Sequence, residues 1–154
     1  METDPAAYLA RWELGGVGGE VVVVDVIRAF TTAAYALAGD ASEIWLVAGV
    51  DEALDLAATM PGSLVVGEDH GIRPDGFDLP NSPVEIAQAD VRGRTIVQRT
   101  SAGTQGVVAA VDAERLFAAS LVCASATAAA VARTGLGAPS YVITGRFPDR
   151  PGDG

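Results

Sequence analysis

Aspartate, arginine and hydroxyl side chains interrupt an otherwise apolar chain in three short stretches: Asp25-Val26-Ile27-Arg28-Ala29-Phe30-Thr31-Thr32, Gly76-Phe77-Asp78-Leu79-Pro80-Asn81-Ser82-Pro83 and Arg99-Thr100-Ser101-Ala102-Gly103-Thr104. Arg28 offers a planar fork of donors suited to phosphate oxygens, and Asp25 offers a hard oxygen ligand for a divalent metal. The first and third stretches each sit where an apolar run ends and an Ala-rich run begins, so side chains and backbone N–H groups can converge there on one anion. The chemistry these residues suit is the handling of an oxyanion.

The elements that must hold them follow from hydrophobic patterning. Residues 20–26 form a β-branched run without alternation, which predicts a strand buried on both faces of a parallel sheet. Residues 29–37 read as a helix ended by Gly39. Strands are predicted at 44–48, 63–67, 94–99, 115–119 and 140–144, and helices at 51–60, 105–111 and 124–133, with Asp51 as the cap of its helix. Ser82-Pro83-Val84-Glu85 fits a capping box with proline at the first helical position, so a short helix should start there, and Ser82 has a purely capping reading. Residues 68–80 form the longest loop, rich in Gly, Pro and acids, where a functional insertion would sit. Strands alternating with helices predict an α/β, three-layer α/β/α sandwich with a mostly parallel or mixed sheet of about six strands.

The length of 154 residues predicts a single domain, with residues 1–19 as a flexible lead-in. A formal net charge of -10 leaves no basic footprint for nucleic acid. The chain has no lysine, which excludes a Walker-type phosphate lysine and a Schiff base, so every fixed positive side chain is an arginine. One cysteine, Cys123, forms no internal disulfide, and the N-terminus lacks the layout of a signal peptide, which predicts a cytoplasmic protein. The longest uncharged stretch, 116–131, is too short to span a membrane. No apolar helix face stands out, so a homodimer is left open without a face to define it.

Three phosphatase signatures are absent. Cys123 has no arginine six positions on, Asp25 is followed by Ile27 where a paired-aspartate nucleophile needs a second Asp, and His70 is flanked by Asp69 and Gly71 rather than arginine. For a phosphate-ester hydrolase these absences favour direct, metal-assisted hydrolysis.

In order and spacing, the run Val21 to Thr32, the pair Gly67-Glu68 followed by Gly76 to Pro83, and Thr100-Ser101-Ala102-Gly103-Thr104 resemble the 2-phosphosulfolactate phosphatase family. The resemblance runs from about Val21 to Gly145, and Gly-Phe-Asp-Leu-x-Asn-Ser-Pro is its most specific piece. It implies an Mg2+-dependent phosphatase of the coenzyme M pathway acting on 2-phosphosulfolactate or a similar small acidic phosphate ester. It also implies that Asp25 and Glu68 hold the metal and, with Arg28, carry the reaction. Thr31, Asp78, Asn81, Ser82, Arg99, Thr100, Ser101, Gly103 and Thr104 would bind substrate.

Each of these residues also has a structural explanation. Asp25, Ser101 and Thr104 can cap helices, Asp78 and Asn81 can form turns, and Thr32 can bond its own backbone. Arg28 opposes the dipole of the helix it precedes, which makes better sense with an anion between them. The chain departs from the family at Ser101-Ala102-Gly103-Thr104-Gln105, where relatives often carry an amide and a positive charge, and at Asp69-His70-Gly71, where Arg-Gly is common. The C-terminal part of the family is expected to be missing. Two other classes stay open: a non-catalytic anion-binding relic of the family, and a nucleotide-binding or methyltransferase-like domain using Asp40 or Glu43, which the lack of a Gly-rich turn after the first strand disfavours.

Overall fold

The structure is a computed structural model that describes residues 7–15 and 17–145; the rest of the predicted lead-in and residues 146–154 lie outside the described residues. Among the described residues, eight strands form two parallel four-stranded sheets. The first has the order β1 (Tyr8–Leu9), β8 (Ser140–Ile143), β2 (Glu20–Val24), β7 (Arg115–Ala119). The second runs β3 (Glu43–Val47), β6 (Thr95–Arg99), β4 (Leu64–Gly67), β5 (Leu79–Pro80). The helices are α1 (Ala29–Ala38), α2 (Val50–Ala58), α3 (Pro83–Gln88), α4 (Gly103–Ala109) and α5 (Ala124–Thr134).

The α/β class is as the alternation predicts, and β7 begins and ends where the apolar run does. The strands divide between two sheets of four, where a single sheet of about six is the sequence expectation. Two sheets face each other, with α1 and α4 between them. Val21 and Val23 of β2 and Val142 of β8 pack there on Ala29 and Phe30 of α1 and Ala110 after α4, joined by Leu46 from β3 of the second sheet. Farther along α1, Ala36 meets Leu64, Val66 and Ile96 of the second sheet together with Ile86 of α3. The outer face of that sheet, Val47, Val65 and Val97, is covered by Ala53 of α2 and by Phe77. The outer face of the first sheet lies against α5, where Val22 and Val24 line a groove of about 240 Å³ with Ala128 and Val131.

Sequence patterning fixes which face of a strand is apolar but not which strand it pairs with. β2 pairs with β7 and β8 from the far end of the chain (Val23↔Ala118, Val23↔Val142), while β3 pairs with β6 (Trp45↔Val97). Tyr8–Leu9, expected within a flexible lead-in, pair with β8, and the Tyr8 ring stacks on Tyr141 at 5.4 Å. A two-residue strand has no periodicity to read.

Local chemistry explains the helix ends. The cap of α2 is Gly49 rather than Asp51, and the Glu52 carboxylate accepts from the Gly49 N–H at 3.0 Å and the Ala48 N–H at 3.1 Å. α5 ends on Gly135 with φ +70°, a left-handed turn that glycine takes without a Cβ penalty. No helix among the described residues is long and apolar enough to cross a membrane.

Candidate active site

The site is built from Asp25 just after β2, Glu68 just after β4, and Arg99 with the turn that follows it at the C-terminal end of β6. Asp25 follows β2 and is 7% exposed. Its Oδ1 accepts the Ala29 N–H at 3.1 Å, which caps α1, and its Oδ2 accepts the Thr144 hydroxyl at 3.3 Å. The Gly103 N–H also donates to this carboxylate. Burial pushes the Asp25 pKa above its ordinary value; the Ala29, Thr144 and Gly103 bonds oppose the shift and the nearby charge of Glu68 adds to it. Two acids at the mouth of an apolar core therefore sense each other.

Glu68 follows β4 and is braced from two loops. Its Oε1 accepts the Ser101 N–H at 2.6 Å, and its Oε2 accepts the Ser101 hydroxyl at 3.0 Å and the Gly71 N–H at 2.7 Å. Gly67 makes this approach possible. With φ +151°, it lies so close to β6 that a Cβ would fall 1.8 Å from the Arg99 carbonyl oxygen, which accepts the Glu68 N–H at 3.0 Å. Gly67→Ala is expected to leave little folded protein, measured as soluble yield and far-UV circular dichroism, since the clash is with backbone.

The third stretch is largely self-satisfied. Thr104 is fully buried; its hydroxyl accepts the Thr100 N–H at 2.9 Å and donates to the Thr100 carbonyl at 2.9 Å. The Thr100 hydroxyl in turn accepts the Thr104 N–H at 3.1 Å. These two threonines fix the turn that presents Ser101 to Glu68. Gly103 packs against Ala29, where a Cβ would lie 2.5 Å from the Ala29 Cβ and 2.9 Å from Asp25 Oδ2.

The two arginines differ. Arg28 is exposed at the N-cap of α1, and its side chain has no partner among the described residues. Arg99 is a clamp: Nε donates to the Ala48 carbonyl at 3.0 Å, and Nη1 reaches the Glu68 carbonyl and Asp69 Oδ1, both at 2.7 Å, and Ser101 Oγ at 3.3 Å. Gln105 extends the same lattice, donating to the Ala48 and Thr100 carbonyls at 2.9 and 3.0 Å.

The structure thus brings Asp25, Arg28, Glu68, Arg99, Thr100, Ser101, Gly103 and Thr104 to one end of the fold. Thr31 lies at the same end, but its hydroxyl donates to the Val26 carbonyl at 3.0 Å, and it is Thr32, 1% exposed, whose hydroxyl is left without a partner. Asp78 is tied to the middle of β4, accepting the Val65 N–H at 2.7 Å. Asn81 is buried with its Oδ1 unpaired. Ser82 caps α3 by accepting the Glu85 N–H at 3.3 Å. Ser82→Ala should therefore cost about 1 kcal/mol in chemical denaturation.

One residue beyond the sequence reading joins the site. Arg11, in a single 3-10 turn (Arg11–Glu13), donates from Nη1 to the Ser101 carbonyl at 3.3 Å. It sits 90 residues away in sequence, in a segment without a strong pattern. Cys123 lies at the N-cap of α5. Burial works against its thiolate, but bonds from Ser120 and Thr127 outweigh that and leave its pKa below the ordinary value.

No group of three or more His, Cys, Asp and Glu side chains stands ready as a metal cage among the described residues. Two carboxylates are nevertheless sufficient for Mg2+, which binds through one or two carboxylates, substrate phosphate and water. The raised pKa of buried Asp25, with Glu68 as a like-charged neighbour, is an electrostatic deficit that a divalent cation would offset, so the donor set fits the ion.

The family model described as 2-phosphosulpholactate phosphatase matches residues 12–136, which include every site residue named above except Arg11 and Thr144. The chain belongs to this family. A "Probable 2-phosphosulfolactate phosphatase" of Bacillus subtilis (strain 168) is 41% identical over 107 residues, 70% of this chain and 47% of its own length. Proteins with the same description from Carboxydothermus hydrogenoformans and Thermoplasma acidophilum are 44% identical over 108 residues and 36% over 130, covering 70% and 83% of this chain and 44% and 59% of their own lengths. The chain thus spans about half the length of the curated 2-phosphosulfolactate phosphatases it matches.

Proposed function

We propose that this chain carries the phosphate-ester hydrolysis site of a 2-phosphosulfolactate phosphatase and acts, with Mg2+, on 2-phosphosulfolactate or a similar small acidic phosphate ester. The observation that carries the reading is the buried carboxylate of Asp25, whose pKa the charge of Glu68 helps to raise, followed three residues later by the Arg28 guanidinium, which has no partner among the described residues. A role in coenzyme M formation goes with this reading and rests on the family resemblance.

Asp25 and Glu68 would hold Mg2+, which supplies charge neutralisation on the phosphoryl oxygens when bound. Arg28 reaches the phosphoryl group from the solvent side and offers two parallel N–H donors. Ala29, Thr144 and Gly103 hold Asp25, and Ser101 and Gly71 hold Glu68, so neither carboxylate has to reorganise as charge moves. Water attacks phosphorus, the P–O ester bond breaks, and the ester oxygen leaves as the alcohol with the proton that water gives up.

Phosphate release from 2-phosphosulfolactate, 2-phospholactate and an aryl phosphate tests this. Arg28→Ala should raise KM by at least about tenfold while the fold is kept, as expected for a lost charged contact to phosphate. Tight binding of these esters by the wild type without turnover would identify an anion-binding module instead.

A further inference from the structure

We propose that Gln98 is a positioning residue of this site: from the second sheet it holds the Ala29 backbone, and through it the Asp25 carboxylate of the first sheet, where Asp25 and Glu68 can share one Mg2+. The inference rests on the phosphatase reading and deepens it.

The two proposed metal ligands belong to different sheets, Asp25 following β2 and Glu68 following β4. Their separation therefore depends on how α1, which starts at Ala29 between the sheets, is seated. Gln98 of β6 fixes that seat. It is 1% exposed, and its Nε2 donates to the Ala29 carbonyl at 2.9 Å. The N–H of the same Ala29 donates to Asp25 Oδ1 at 3.1 Å. Ala29 is thus held by Gln98 and in turn holds Asp25. Gly103, five positions on, donates to Asp25 from its backbone, and Ser101 between them bonds Glu68 through its N–H and hydroxyl. Residues 98–103 accordingly grip both carboxylates, and Gln98 supplies the side-chain bond to α1.

Stability alone does not account for a glutamine at this position. Side chains alternate along β6, and Ile96, two residues back, packs with Ala36 of α1 and with Val66, the β4 partner of Gln98. A Leu or Met would continue that apolar face. Gln98 instead buries an amide whose Oε1 has no partner among the described residues, a cost that one neutral hydrogen bond does not return. The helix does not need the bond either, since the Ala29 carbonyl, at the head of α1, also has the N–H of the next turn. What an apolar residue would not supply is a directional hold on Ala29.

The test uses Gln98→Met, which is close in size and cannot donate, with Gln98→Leu as the second variant. Both should fold and melt within about 3 °C of the wild type or above it, because loss of the bond is offset by removal of the orphaned oxygen. The Mg2+ dissociation constant, measured by calorimetry without substrate, should nonetheless rise about tenfold, and kcat/KM for phosphate release from 2-phosphosulfolactate should fall at least about tenfold. Hydrogen exchange at the Ala29 amide should speed up about tenfold, while exchange at Val23 inside β2 stays as it was. A side chain that only fills space would shift the melting temperature and leave these three readouts alone. Wild-type Mg2+ affinity, rate and Ala29 exchange in the folded variants, or loss of the fold in both, overturns the proposal. A wild type that releases no phosphate defeats the phosphatase reading, and this inference with it; a wild type that releases phosphate beside unaltered variants defeats this inference alone.

Discussion

Asp25→Asn should abolish phosphate release, with kcat/KM down by at least about a thousandfold, and yet melt at a higher temperature than the wild type at pH 7. Both effects come from burial. The carboxylate is 7% exposed and its pKa is raised above the ordinary value near 3.8, mainly by desolvation. A raised acid pKa means that the folded state binds the proton more tightly than the unfolded chain. Stability is therefore lost as pH rises from about 3.8 through the folded-state pKa, and the loss is complete above it.

Asparagine cannot ionise, so it escapes that loss while still offering an oxygen to the Ala29 N–H. Melting curves of the two proteins should separate most at pH 7 and converge below the unfolded-state pKa. Addition of Mg2+ should raise the melting temperature of the wild type and not of the variant, because ligand binding to the folded state alone is stabilising. A variant that releases phosphate at the wild-type rate would remove Asp25 from the chemistry.

Gly103→Ala should be nearly as damaging, by a different route. A Cβ at 103 would lie 2.5 Å from the Ala29 Cβ and 2.9 Å from Asp25 Oδ2, so the start of α4 has to move away from Asp25. Overpacking of this kind costs about 1–3 kcal/mol, read from chemical denaturation. The displacement also withdraws the Gly103 N–H from Asp25 and shifts Ser101, whose N–H and hydroxyl hold Glu68. An ångström-scale misplacement of both carboxylates is expected to lower kcat by about a hundredfold. The fall in kcat should persist at low temperature and low denaturant, where the variant is fully folded; recovery of the wild-type rate there would reduce Gly103 to a packing role.

Much of this was legible in the sequence because it is encoded locally. Val21 to Val24 are β-branched on consecutive positions, which only a strand covered on both sides accommodates, and β2 is such a strand. Asp25 ends that run, so its place at the C-terminal end of the strand follows. Ser82-Pro83 starts a helix wherever it stands. The rest depends on which segments meet. No local pattern tells that Asp69 rather than a ligand faces Arg99, 30 residues away, or that Arg11 reaches Ser101. The division of the strands between two sheets was not legible for the same reason, since the apolar content of β3 and β6 suits a neighbour of β2 as well as it suits a second sheet.

The hydroxyl pair shows the limit at one helix turn. Thr31 was the expected donor to phosphate, yet its hydroxyl donates to the Val26 carbonyl, while Thr32 is the buried one with an unpaired oxygen. Their order on α1 depends on the rotation of the helix between the two sheets, which is set by Phe30 and Ala36 packing on opposite sheets. Asp51 and Glu52 differ likewise by one position, and only the path of the chain at Gly49 selects Glu52.

The central claim is that a carboxylate pair at the ends of β2 and β4 supports metal-dependent release of phosphate. The most direct measurement is the initial rate of phosphate release from 2-phosphosulfolactate, 2-phospholactate and an aryl phosphate with Mg2+, then with excess chelator, then with Mg2+ restored. Release with Mg2+, loss on chelation and recovery on re-addition is the predicted result, absent throughout in Asp25→Asn. Release that continues undiminished in chelator, or no release from the folded wild type under any of the three conditions, would contradict it.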